Sequence, residues 1–276
     1  MGIFGINYDR PGPGVRKDEP KKKGIRRFFE LFVRKFWDIV KLNLIFCLIA
    51  LPSAVLFFLG FVGIGGWYAL ILSIAAAFPL GGAVSACMFC IAKMLRDSPG
   101  WAGYDFRRKF RENFLQAALP GIVSAVFTYT HMYIWANMSV GRIAAGYGTI
   151  ALLLVAVAFF EMIMPYVFLQ TAHLSLKNAP IIKNSVILAI KDAPRSFCGM
   201  LFGRAVWIVS VLVFPLTVWL APFLLLFGFT LSWLVNLMWI WPLVDEVFSI
   251  GAAIDDMQEQ KVSGVTAVFA SREPQR

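Results

Sequence analysis

Charge is scarce in this chain. Asp, Glu, Lys and Arg together make up 15% of its 276 residues, against the roughly 25% of an ordinary soluble domain. Titratable chemistry is scarcer still, with two histidines, His131 and His173, and four cysteines. No convincing zinc set can be assembled from so few scattered ligands. There is no GxxxxGK[ST] loop, so nucleotide hydrolysis by that route is excluded. No Ser/His/Asp, HExxH or paired-aspartate arrangement appears in the apolar segments, which argues against intramembrane hydrolysis and against an enzyme of any familiar type. The residues predict no catalytic group, no metal site and no cofactor.

What fills the chain is apolar. Hydrophobic residues make up 59% of it and the mean hydropathy is +0.72, which identifies an integral membrane protein. The stretch from Ile25 to Gly60 sets the pattern. Ile25, Phe28, Phe29, Phe32, Phe36, Ile39 and Val40 step by three and four, with Arg26, Arg27, Glu30, Arg34, Asp38 and Lys41 opposite. That is the signature of a helix lying between an oily and a wet phase. After Lys41 the polar face stops, and Leu42 to Ile64 carries no charge, long enough to cross a hydrocarbon layer roughly 30 Å thick.

The fold expected is therefore all-α, a polytopic membrane bundle of about six spans: 42 to 63, 68 to 92, 115 to 138, 147 to 170, 198 to 219 and 222 to 243. Residues 1–24 read as a basic arm rich in Pro and Gly, 25–41 as an interfacial helix, 42–243 as the membrane domain and 244–276 as a tail. Of the 26 Lys and Arg, all but Arg142 and Arg204, the latter just inside the fifth span, fall before the first span, in the even-numbered loops or in the tail. The excess of basic residues in short loops marks the cytoplasmic side, so both termini are expected there. Lys21, Lys22, Lys23, Arg26, Arg27, Arg34, Lys35, Arg107, Arg108 and Lys109 form the expected basic patch against anionic inner-leaflet lipid. Net charge +10 is explained by this placement without nucleic acid. The turn Pro11-Gly12-Pro13-Gly14 fits either a flexible arm or a docking element for a partner.

Gly81 and Ser85, or Gly82 and Ala86, give the second span a face of small residues, suited to close packing within the chain or against another subunit. Cys87-Met88-Phe89-Cys90 spells CxxC, but on a membrane helix facing a reducing compartment it does not imply redox work. Phe36, Lys41 and Asn43 recur as Phe106, Arg111 and Asn113 at equal offsets, and a third basic helix follows Pro180, a plan of three units each opening on an interfacial helix. Glu161 and Arg204 are the charges inside the spans. Counted inward from the cytoplasmic ends their depths differ by only ~5 Å, which fits an ion pair, a substrate or proton site around Glu161, or a snorkelling arginine beside a protonated acid. Every span carries or adjoins a proline: Pro52, Pro79, Pro120, Pro165, Pro215 and Pro222. Such breaks occur both in transport pathways and in ordinary membrane helices.

Gly12-Pro13-Gly14-Val15, the basic stretch, Arg34-Lys35-Phe36-Trp37-Asp38 and Lys41-Leu42-Asn43-Leu44 together resemble the start of the YesL family, membrane proteins sharing the domain of unknown function numbered 624 (DUF624). The likeness extends through the spans to about residue 245. It implies a Gram-positive, carbohydrate-utilisation setting, commonly beside sugar ABC importers and two-component sensors, and no activity that can be carried over by residue. The loop from Thr171 to Asp192 lacks the Glu-Ala-Ala pattern by which sugar ABC permeases engage their ATPase. An accessory or regulatory subunit is therefore the expected function, with other membrane subunits such as sugar ABC permeases as partners; the alternative is a self-contained transporter or channel with its pathway near Glu161.

Overall fold

A computed structural model describes residues 22–64, 66–144, 146–212 and 222–253, and every element among them is helical. Helix α1, Gly24–Arg34, opens on Gly24 at φ +59, a backbone region that suits glycine. It is followed directly by α2, Phe36–Phe61. The 25–41 helix expected from periodicity is thus broken at Lys35, whose φ of −110° and ψ of 18° leave the helical region. The residues after the break belong to the span, because Ile39, Val40 and Leu42 are buried against the bundle. Helix α3, Gly66–Ala76, and α4, Leu80–Leu95, are bent by 41° at the break before Pro79, where the proline ring leaves no N–H for the ladder.

Helix α5 runs from Ala102 to Ser139, 38 residues, about 57 Å at 1.5 Å per residue. That exceeds the membrane thickness, and its charged first turns, Asp105 to Glu112, are the part that need not be embedded. Helices α6, Tyr147–His173, α7, Asn178–Lys191, and α8, Ala193–Leu212, follow. A π-helical turn, Leu224–Gly228, then leads into α9, Phe229–Phe248.

Three helical segments are long and apolar enough to cross a membrane: Phe36–Phe61, Tyr147–His173 and Leu224–Phe248, with a fourth if the bent pair α3–α4 counts as one span. Two of the six expected spans do not reach that standard among the described residues. In α5 the apolar half is diluted by Ser124, Thr128, Tyr129, Thr130, His131 and Tyr133. In α8 the helix is described only to Leu212, and 213–219 lie outside the described residues.

The last span forms the centre of the bundle. It is 61% buried, against 17% for α2 and 28% for α6, and Leu234, Leu237 and Ile240 on it are closed off completely or nearly so. By contrast Leu48 and Phe58 on α2, and Leu152 and Phe159 on α6, point outward, as helices require when hydrocarbon rather than protein covers them.

Close approach is built from glycine. A Cβ on Gly81 would lie 1.8 Å from the Ala117 carbonyl oxygen, and one on Gly121 would lie 2.5 Å from the Gly81 nitrogen. Helices α4 and α5 therefore touch backbone to backbone. The four small residues Gly81, Gly82, Ser85 and Ala86 are all buried inside this chain; Gly82 meets the Phe110 ring and Ser85 Oγ accepts a hydrogen bond from Asn113 Nδ2 at 3.2 Å. A second such contact joins α8 to α9, where Cβ atoms on Gly199 and Gly203 would come within 3.1 Å of Trp239 Cβ and 3.0 Å of Ser232 O. These two glycines form a GxxxG pattern readable in the sequence and missed there.

The π-helical turn has an identifiable cause. Asn43, fully buried on α2, donates from Nδ2 to Leu225 O at 2.6 Å and accepts from Thr230 N at 2.9 Å through Oδ1. Its amide is inserted between a carbonyl and an N–H that would otherwise be paired along the helix. The rings of Phe32 and Phe36 pack on Phe227 beside it, at 5.9 and 5.3 Å between centroids. We expect Asn43→Leu to leave both backbone groups unpaired in an apolar setting, about 1 to 3 kcal/mol each, with Asn43→Gln recovering little because the longer side chain cannot repeat both bonds. Thermal unfolding in detergent checks this.

Candidate functional site

Polar side chains converge inside the bundle around Glu161 and Arg204. Arg204 on α8 donates from Nε to Glu161 Oε2 on α6 at 3.0 Å, and its Nη2 contacts the same oxygen. Neither side chain is closed off: Arg204 retains 33% of its exposure and Glu161 21%. The pair lines a cavity of about 120 Å³ together with Ser124 and Thr128 of α5, Val84 and Met88 of α4, and Ser232 and Asn236 of α9. Ser232 donates to Gly203 O, whereas Ser124 Oγ and Asn236 Oδ1 are buried with no partner. The cavity wall is largely apolar, with Met88, Phe160, Met164, Phe168 and Trp233 in it, but unpartnered polar atoms beside a void of this size suit internal water, each molecule taking a share of about 30 Å³.

The sequence singled out Glu161 and Arg204 because a charge in an apolar run is conspicuous. Ser124, Thr128, Ser232 and Asn236 were missed, because small polar residues in spans are common and only the tertiary packing aims them at one point.

The basic residues divide into two groups. Lys22, Lys23, Arg26 and Arg107 are exposed, as a membrane-surface patch requires; Lys21 lies outside the described residues. Arg27 does not belong with them. It is 7% exposed, and its guanidinium donates to Asp97 Oδ2 at 2.5 Å, Leu95 O at 3.1 Å and Glu30 Oε1 at 3.2 Å. Arg34 also pairs with Asp97 and Glu30. Periodicity put both arginines on the lipid-facing polar side, but the end of α4 supplies carboxylate and carbonyl acceptors that lock α1 to the bundle. Lys35 leans toward Asp38 at 3.8 Å.

Asp97 sits at the end of α4 at φ 60, a left-handed position that Asp tolerates. Burial pushes its carboxyl up, but hydrogen bonds and charge from Arg27 and Arg34 outweigh this and hold it below its ordinary value. A carboxyl lowered in the folded state stabilises above its unfolded pKa, near about 4, and that contribution disappears as pH falls through the folded value. The melting temperature should therefore drop on acidification below about pH 4, and Asp97→Asn should start lower and show a flatter acid limb.

On the same side, Lys93 Nζ and Asp105 Oδ2 pair at 2.6 Å, and Lys109 and Glu112 at 2.8 Å. Arg108 reaches Asp105 and Glu112 only at 3.5 and 3.9 Å. His173 donates from Nδ1 to Leu169 O at 3.0 Å and its ring stands 5.1 Å from Phe89 and 5.4 Å from Trp241. Cys87 and Cys90 are buried free thiols, Cys47 and Cys198 partly buried ones. Among the described residues no group of three His, Cys, Asp or Glu is placed to hold a metal ion. Comparison of the chain with protein-family models, curated proteins and solved structures finds no match.

Proposed function

We propose that the chain is a multi-pass protein of the cell membrane that works as a non-enzymatic accessory or regulatory subunit of a carbohydrate import or sensing system. The observation that carries this reading is the Glu161–Arg204 contact, which cancels the charge a pathway would present and leaves a void of about 120 Å³. Sites for small ligands run to about 300–1,000 Å³. The carbohydrate setting and the sugar ABC permease as partner come from the resemblance to the YesL family. Since the glycine faces are spent inside the chain, partner contact falls to α1, where Ile25, Phe29 and Val33 are exposed, and to exposed Trp37 at the start of α2.

In this reading the chain crosses six times, through α2, α3 with α4, the second half of α5, α6, 198–219 and the π turn with α9, with both termini cytoplasmic. Phe227 at the start of the last span packs on Phe32 and Phe36 at the start of the first, a contact that six full crossings do not account for. In a variant lacking native cysteines, a thiol placed at Arg142 should be labelled from outside by an impermeant maleimide and one at Ser249 should not; the reverse pattern overturns the orientation. Purification in gentle detergent from cells grown on the inducing sugar should recover stoichiometric membrane partners, and recovery of this chain alone removes the accessory reading. The partnerless Ser124 and Asn236 beside Glu161 favour one second reading, a transporter or channel whose pathway opens at this cavity in another conformation.

A further inference from the structure

A second cavity, of about 450 Å³, opens where α4, α6 and α9 end and α5 begins. Its volume falls within the range of ligand sites, unlike that of the Glu161 cavity. Lys93, Arg96, Arg108 and Lys109 line it, with Glu112 the one acidic residue among its described walls. The cations are positioned by rings: the Arg96 guanidinium lies 5.6 Å from the Trp241 centroid, Arg108 6.0 Å and Lys109 4.9 Å from that of Phe89. Cations held over aromatic faces lose less freedom on binding a ligand than solvated ones. Arg108 in particular is under-used, since its carboxylate contacts at 3.5 and 3.9 Å are long for a guanidinium with five donors. Phe89, Leu174, Phe248 and Ile250 supply an apolar wall.

We propose that this cavity is a binding site for a phosphate group, carried by an anionic lipid headgroup or by a soluble phosphate ester. The Arg108 fork, with the Arg96 guanidinium and the Lys93 and Lys109 ammoniums beside it, the last two also held by Asp105 and Glu112 at 2.6 and 2.8 Å, matches the tetrahedral, multiply accepting oxygens of phosphate better than a planar carboxylate. The proposal is independent of the accessory reading and needs only the inner ends of these helices.

The full chain, reconstituted in phosphatidylcholine nanodiscs, tests it in two arms. One titrates glycerol 3-phosphate by calorimetry. The other adds phosphatidylglycerol to the discs and reads retained lipid by native mass spectrometry together with the shift in Tm. Saturable binding in the first arm identifies a soluble ester, and retention with stabilisation in the second alone identifies a lipid; either supports the site. Arg108→Gln and Lys109→Gln should each weaken binding by about tenfold or more, Arg108→Lys should retain part of it, and Lys183→Gln, exposed on α7 and away from the cavity, should change nothing. Folding of each variant is checked by its melting curve without ligand. No saturable binding in either arm, or an equal loss in Lys183→Gln, overturns the proposal.

Discussion

Glu161→Gln and Arg204→Met should each lower thermal stability in detergent by about 3 kcal/mol, and the double variant should regain most of that loss. The asymmetry comes from desolvation. Removing one member of an embedded pair strands the other charge in a medium that cannot solvate it, at about 3 to 5 kcal/mol, whereas removing both leaves nothing uncompensated. Residual exposure of Arg204 and Glu161, 33% and 21%, places the expected loss at the lower end of that range. Non-additivity is the diagnostic quantity, since residues that act separately give losses that sum. Additive losses in the four-variant cycle would remove the structural pair from this account.

Gly81→Ala should be more damaging than its single methyl suggests. The added carbon would sit 1.8 Å from the Ala117 carbonyl oxygen and 2.9 Å from Gly121 Cα, and backbone cannot step aside as a flexible side chain can. Helices α4 and α5 would have to separate along their contact, opening the packing around Ser85 and Asn113. Overpacking in cores costs about 1 to 3 kcal/mol and occasionally more, and here the clash is with backbone, so a loss of about 3 kcal/mol or failure to accumulate is expected. Gly121→Ala should behave alike, and Gly103→Ala, with open space around it, should be neutral. A neutral Gly81→Ala would show that the two helices are not in contact.

The helices and their apolar character were legible because hydropathy is a local property. Leu42 to Ile64 announces a span whatever surrounds it. Where one helix ends and the next begins was less so: the break at Lys35 depends on Arg27 finding Asp97, seventy residues away, and no periodicity within 25–41 carries that information. The same holds for Asn43. Its recurrence as Asn113 drew notice as a repeat, but its work, bridging Leu225 O and Thr230 N, depends on a segment at the other end of the chain. Of the cavity around Glu161 the sequence showed the two charges and none of the hydroxyl and amide groups, since Ser124, Thr128, Ser232 and Asn236 are unremarkable until α5 and α9 are packed together. The glycines split similarly. Gly81 was marked as a close-packing residue, yet its partner Gly121 and the Gly199–Gly203 pair emerge only with the neighbouring backbone in place.

As the structural pair of an accessory protein, Glu161 and Arg204 should open no pathway, and flux through the purified chain decides this. Reconstituted in liposomes and loaded with sugars and with monovalent ions, the wild type should give no flux above protein-free vesicles, and Glu161→Gln should give the same null result. Sugar or ion flux that is present in the wild type and abolished by Glu161→Gln would contradict the account and establish the cavity as part of a pathway.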